Sequence, residues 1–214
     1  MKIFVFIPAF NAEKTLEKTL LSLLNQTYPV TPIVINDYST DKTAIIARKM
    51  GVEVIENKKN VGCYNSINHG LFVKKGKFDA WSIHGSDDVS TINRFEIHKE
   101  AFDKGYLSSI AKFTRINYDN QILSKPIHCS STTCFSSKIF NELGYYDNTR
   151  FGGDTEYYHR VRKYIGNIAI ININLLMAYT NEKNITSTVS NDKRKIYWDN
   201  FLLENIKHKE WIRQ

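Results

Sequence analysis

Three short polar clusters hold the side chains best able to do chemistry in this sequence: Pro8-Ala9-Phe10-Asn11, Asn36-Asp37-Tyr38-Ser39 and Ser86-Asp87-Asp88. Asp87 and Asp88 are adjacent carboxylates. Such a pair suits a hard divalent cation, Mn2+ or Mg2+, which takes oxygen ligands from one or two carboxylates and from substrate phosphates. The sequence contains neither GxxxxGK[ST] nor GxGxxG. Phosphate handling therefore falls to a metal and basic residues, not to a glycine cradle. Taken singly, Asp37 reads equally as a turn or cap before "STDKT", and Asp87-Asp88 as a turn ahead of a cap at Ser90. His84, His128 and His159 are further candidate ligands or sugar contacts, although a lone histidine is more often structural.

The elements that must position these clusters alternate. Residues 3–7 are a short apolar run, as expected of a strand buried on both faces. Leu16, Leu20, Leu23 and Leu24 then form one apolar helical stripe, with Asn11 as its expected cap. Strand signals return at 33–35, 52–56 and 80–83, and helix signals at 42–50 and 63–75. This βαβαβαβ order implies right-handed crossovers and a mainly parallel sheet, so the class is α/β. Each polar cluster follows a strand, and ligands of open parallel sheets bind beyond the carboxyl ends of the strands. The three clusters thus converge on one sheet edge.

The second half reads differently. Ser90 is placed as the cap of a helix running to about 104. Residues 107–113 and 122–123 read as a hairpin around a Tyr-Asp-Asn turn. Short helices are expected over 137–143 and 154–164, a strand over 168–173, and a helical tail over roughly 192–213. The chain is read as one domain of residues 1–214, with a donor half (1–104), an acceptor-side half (105–180) and a C-terminal helical extension (181–214).

Composition narrows the partners. The 214 residues include 29 Lys+Arg against 22 Asp+Glu, a net charge of +7. The excess invites anionic ligands, whether nucleic acid, phosphorylated small molecules or a membrane surface. The aromatics are scattered through core-like segments and not interleaved with Lys/Arg in a stripe, so a nucleic-acid module is disfavoured. Three cysteines, Cys63, Cys129 and Cys134, give no disulfide framework and no CxxC metal spacing, which fits a reducing, cytoplasmic setting. No apolar run has the length of a membrane span. The basic tail leaves peripheral attachment to a membrane open.

The order of motifs resembles family 2 glycosyltransferases. "IPAFNAEKTLEKTLLSLLNQTYPVTPIVINDYSTDKT" is similar to that family's opening, and "NVGCYNSINHGLFVKKGKF" to its N-x-G…N-x-G…G segment, here Asn60, Gly62, Asn68, Gly70 and Gly76. "GSDD" falls where the family's metal-binding D-x-D-type motif falls, and "INRFE", with Arg94 and Glu96, resembles the stretch after it. "KIFNELGYYDNTRFGGDTEYYHRV" resembles the acceptor-side segment, with a weaker echo at "NITSTV" and "RKIYWDNF". The resemblance implies the GT-A fold: a Rossmann-like, mainly parallel sheet flanked by helices, with a small antiparallel acceptor-side part.

It also implies roles. Pro8, Phe10 and Asn11 would line the nucleotide pocket, with Asn68 and Arg94 on the same donor side. Asp37 would stand near the base or ribose, Asp87 near ribose or metal, and Asp88 would be the main metal ligand. Asp154 would take the acceptor hydroxyl proton, with Glu156 as fallback, and Arg160 or Arg162 would neutralise phosphate or orient Asp154. The implied reaction is inverting transfer of a sugar, UDP-glucose for instance being the donor, to a hydroxyl of a glycan, glycoprotein or glycolipid. Three departures stand out: Asn36 and Ser86 replace acids common in the family, and Gly153 precedes Asp154 where a Glu-Asp pair is common. They keep open a nucleotide-sugar-binding protein without catalysis. A nucleotidyltransferase on a related scaffold is disfavoured by the missing glycine-rich phosphate loop.

Overall fold

The computed structural model describes residues 1–180. In chain order the elements are β1 Ile3–Ala9, α1 Leu16–Leu24, β2 Thr31–Asn36, α2 Thr43–Lys49, β3 Glu53–Glu56, α3 Cys63–Lys74, β4 Ala80–Ile83, β5 Val89–Ser90, α4 Arg94–Asp103, β6 Ser108–Ile116, β7 Ile127–His128, β8 Cys134–Ser136, α5 Ser137–Leu143, α6 Gly153–Tyr164 and β9 Ile168–Tyr179. A 3-10 turn covers Ser130–Thr132. The helical extension expected over 181–214 lies outside the described residues, as do "NITSTV" and "RKIYWDNF".

One sheet runs in the order β3-β2-β1-β4-β8-β6-β9-β5, with β7 against β6. The strands β3, β2, β1 and β4 are parallel, as the alternating pattern requires. β8 then pairs antiparallel with both β4 and β6, and β6 pairs parallel with β9. Residues alternate across β1. Ile3, Val5 and Ile7 pack with Leu16, Leu20 and Leu23 of α1 on one face. Phe4 and Phe6 pack with Ile67 and Leu71 of α3 on the other, where Trp81, Phe135, Tyr157 and Val161 extend the core towards α6. The period of two sends every second side chain to the opposite layer. The result is an α/β sandwich with a core on each sheet face.

Three local expectations change. Asn11 does not cap α1. It has φ 50, and the helix starts at Leu16 behind Thr15. Ser90 does not cap α4 either: it lies in β5, and its hydroxyl is held by His84 and Arg94. β9 continues past 173 to Tyr179, pairing with β6 across an irregularity between Ile110 and Lys112. The polar Asn172 and Asn174 interrupt its apolar run, so only the long-range pairing reveals its length. The hairpin expectation holds, with Ile116 bridged to Ile122 and β7 antiparallel to β6. Among the described residues no helix is long and apolar enough to cross a membrane.

Candidate functional site

The carboxyl ends of β1, β2 and β4 meet at one edge. The chain leaves β1 through Pro8 and Ala9 to Phe10, which is 52% exposed. Asn11 fastens this turn to the next: its Oδ1 accepts from the Thr40 N–H at 2.9 Å, and its own N–H donates to Ser39 Oγ at 3.0 Å. At the end of β2, Asn36 donates to Glu56 and accepts from the Ser39 N–H. Its amide is therefore spent on the protein, and the expected contact with a base edge is not available to it in this arrangement.

Asp37 is buried and turned inward. Oδ1 accepts from the Val61 N–H and Asn57 Nδ2, and Oδ2 from the Gly62 N–H, at 2.8–2.9 Å. Charge-assisted bonds of this kind are about twice as strong as neutral ones. Asp37 thus anchors the loop that launches α3. It lies beneath the edge where the ribose contact was expected.

Asp87 and Asp88 follow β4. Helix α1 and the residue just ahead of it strap their loop from one side: Thr15 Oγ1 donates to Ser86 O and Thr19 Oγ1 to Asp88 O. A Cβ at Gly85 would lie 2.6 Å from Asp88 Oδ2 and 3.1 Å from Asp87 Oδ1. A side chain at 85 would push both carboxylates off the backbone they fold over. Burial and the neighbouring Asp87 push the Asp88 carboxyl up to about 8, against the opposing pull of the Tyr179 N–H, Arg94 and Arg115. Two half-buried carboxylates forced together in this way fit a divalent cation, which would relieve their repulsion. Among the described residues no group of three or more His, Cys, Asp or Glu side chains is placed to hold a metal. A cation here would take Asp88 and Asp87 from the protein and complete its shell with diphosphate oxygens and water.

Arg94 and Asn68 do not reach the cleft as the donor contacts expected. Arg94 is fully buried; its guanidinium donates to Ser82 Oγ and Ser90 Oγ, both at 3.1 Å. Burial draws it down to about 10, leaving it a cation below Asp88 at neutral pH. Asn68 is equally buried. It exchanges two hydrogen bonds with the Tyr146 backbone and so ties α3 to the segment after α5.

On the far side, Asp154 opens α6. Tyr64 Oη donates to its Oδ1 at 2.8 Å and Ser130 Oγ to its Oδ2 at 2.9 Å. Glu156 does not share this position. It is 1% exposed and bound to Arg160 one turn on, which also donates to the Leu143 and Tyr145 carbonyls. That pair pins α6 to the end of α5. It removes Glu156 as a fallback base and Arg160 as a phosphate ligand, while Arg162 is exposed on the same helix. His84 is buried between Gly85 O and Ser90 Oγ, and His128 meets Ile171 O. Neither joins the carboxylates.

Cys63, the first residue of α3, locates the centre. Its thiol is pushed up to about 12 by burial and then by Asp154, Asp37 and Asp87. The charges of acids from three separate stretches of the chain therefore reach one side chain. Tyr64 and Cys63 were not singled out from the sequence as site residues. Gly153 was the available signal, because a missing side chain beside an acid marks a close approach by something else.

The model of the family described as glycosyl transferase family 2 matches residues 4–170. This chain belongs to that family. It is 36% identical over 115 residues to the 4,4'-diaponeurosporenoate glycosyltransferase of Staphylococcus aureus, covering 49% of this chain and 30% of that protein. An uncharacterised glycosyltransferase of Rickettsia typhi is 35% identical over 94 residues, 43% of this chain and 29% of that one. The chain thus matches less than a third of the length of these curated relatives. Its fold is that of S. aureus TarS 1–349 in complex with UDP-GlcNAc, with TM-score 0.74 and 18% identity over 89% of this chain and 62% of that one. The same fold is seen in glucosyl-3-phosphoglycerate synthase from Mycobacterium tuberculosis, whose structure contains Mn2+, UDP and phosphoglyceric acid. There the TM-score is 0.67 and the identity 17%, over 95% of this chain and 78% of that one.

Proposed function

We propose that this chain transfers a sugar from a UDP-sugar to a hydroxyl of a glycan or glycoconjugate acceptor, with inversion at the anomeric carbon. The observation that carries this reading is Asp154 fixed by the Tyr64 and Ser130 hydroxyls at the start of α6, with Asp87 and Asp88 folded together over Gly85 at the end of β4. One acid group can serve the leaving diphosphate and the other the incoming hydroxyl. The complexes of TarS with UDP-GlcNAc and of the mycobacterial synthase with Mn2+ and UDP support the choice of donor and of a divalent metal.

Asp88, with Asp87, would hold Mn2+ or Mg2+. When bound, that ion supplies positive charge to the diphosphate as it departs. Pro8, Phe10 and Asn11 form the open rim available to the nucleotide. Asp154, fixed by two hydroxyls, accepts the proton of the attacking acceptor hydroxyl, a contribution of about 10²–10⁴-fold. Attack from the side opposite the diphosphate inverts the anomeric carbon. The basic surplus of the chain fits an anionic donor.

The test is a panel of UDP-glucose, UDP-GlcNAc and UDP-galactose with Mn2+ or Mg2+, following UDP release and, by calorimetry, UDP binding. Metal-dependent UDP release is the expected result. Binding of UDP without release from any donor would favour the binding-protein reading, which Ser86 at the D-x-D-type position motivates.

A further inference from the structure

Tyr64 is 8% exposed, yet its hydroxyl reaches Asp154 Oδ1 at 2.8 Å. Its ring lies against the start of α6, where a Cβ at Gly153 would come within 2.8 Å of Cγ and 2.9 Å of both Cδ atoms. Those are ring atoms held by stacking on Tyr146, with centroids 5.7 Å apart, so they cannot swing away cheaply. Any side chain at 153 would therefore dislodge the phenol.

We propose that Tyr64 is the positioning residue for Asp154, and that the absence of a side chain at Gly153 is what admits it. This rests on the reading of Asp154 as the base. In place of a second acid beside it, the chain supplies an uncharged donor. The groups facing Asp154 are Cys63 and Tyr64 on α3, Cys129 and Ser130 at the 3-10 turn, and Tyr146 after α5. Glu156 and Arg160 on α6 itself are bound to one another. Burial and the charge of Asp154 raise the Cys63, Cys129, Tyr64 and Tyr146 protons above their ordinary ranges. Tyr64 accordingly stays protonated and keeps donating. Hydroxyls on different oxygens fix the carboxylate torsion, and about two of its four lone-pair sites remain to take a proton. A hydrogen bond to an ionised carboxylate favours that form over the protonated one, and deleting the Tyr64 hydroxyl removes that preference.

The experiment is a pH titration of 13C-carboxyl aspartate signals in wild type, Y64F and G153A, with the Asp154 signal assigned by its loss in D154N. UDP release from UDP-GlcNAc or UDP-glucose with saturating Mn2+, water acting as acceptor, is followed in parallel. In that reaction water attacks the anomeric carbon, its proton passes to Asp154, and UDP leaves with the bonding electrons. Y64F is expected to raise the Asp154 midpoint by about one pH unit, the worth of one hydrogen bond to a charged group. It should lower kcat about tenfold and leave UDP affinity unchanged. G153A, which displaces the phenol without deleting it, should move the midpoint in the same direction, and it carries the test if Y64F does not fold. An unmoved midpoint overturns the role of Tyr64 even if D154N is inactive. A D154N enzyme that releases UDP at the wild-type rate overturns the base reading itself, whatever Tyr64 does.

Discussion

Burial and Asp87 together lift the Asp88 carboxyl to about 8, so Asp88 is the side chain whose charge state a cation would change most. D88N is expected to weaken Mn2+-dependent UDP binding about tenfold or more, measured by calorimetry with and without metal, while metal-free binding stays the same. Equal losses in both conditions would contradict a metal role. Glu156 makes the opposite kind of prediction. Its partner Arg160 is 2% exposed, and removing one charge of a buried pair costs about 3–5 kcal/mol. E156Q should lose roughly that much stability in urea melts and still bind UDP like wild type. The positions of Asp87 and Asp88 after β4 and of Asp154 at the start of α6 were legible in the sequence, because each acid stands next to a clear strand or helix signal. The inward turn of Asp37, Asn68 and Arg94 was not, because a motif gives residue types and spacing but not the hydrogen bonds that consume a side chain.

At the scale of elements, α3 does most to assemble the site. It begins at Cys63 where Asp37 grips the Val61 and Gly62 amides, presents Tyr64 to α6, and is tied through Asn68 to Tyr146. N68A would leave the Tyr146 N–H and C=O buried without partners, at about 1–3 kcal/mol for each unsatisfied group. Hydrogen exchange should then show the Tyr146 amide losing protection, ahead of the amides of β1. Unchanged protection there would mean that α3 does not hold this segment. The parallel strands and α2, α3, α5 and α6 follow from local pattern, since each is an apolar run or stripe bounded by turn residues. β8 and the second half of β9 do not. Three residues between β4 and β6, and a strand broken by Asn172 and Asn174, are set by pairing across the chain and not by their own periodicity.

Across the whole molecule, buried titratable groups pull the acid response in opposite directions, two histidines on one side. Burial and the Arg94 charge hold His84 down to about 3, and hold His98 well below the ordinary imidazole range. Both are neutral in folded and unfolded chains above about pH 6.5, so neither costs stability there. Below that pH the unfolded chain takes up protons that the folded chain refuses, and each histidine removes about 1.4 kcal/mol per pH unit. For His84 the loss continues down to about pH 3. Asp88, lifted to about 8 in the folded chain, works in the opposite direction over pH 7.5 to 5, because there the folded chain holds a proton the unfolded chain has lost. Urea melts across that range should therefore show one histidine's share as the difference in slope between wild type and H98Q. The same fold joins the strand ends of β1, β2 and β4 to α6 through the sheet and the core on its α3 face. Family membership extends over residues 4–170 and so includes both.

The division of labour between those two sides is the central claim, and D154N tests it most directly. UDP release from the best donor of the panel, with Mn2+, should fall at least 100-fold in D154N while the UDP dissociation constant stays within threefold of wild type. Wild-type turnover in D154N, or loss of UDP binding in step with turnover, would contradict it.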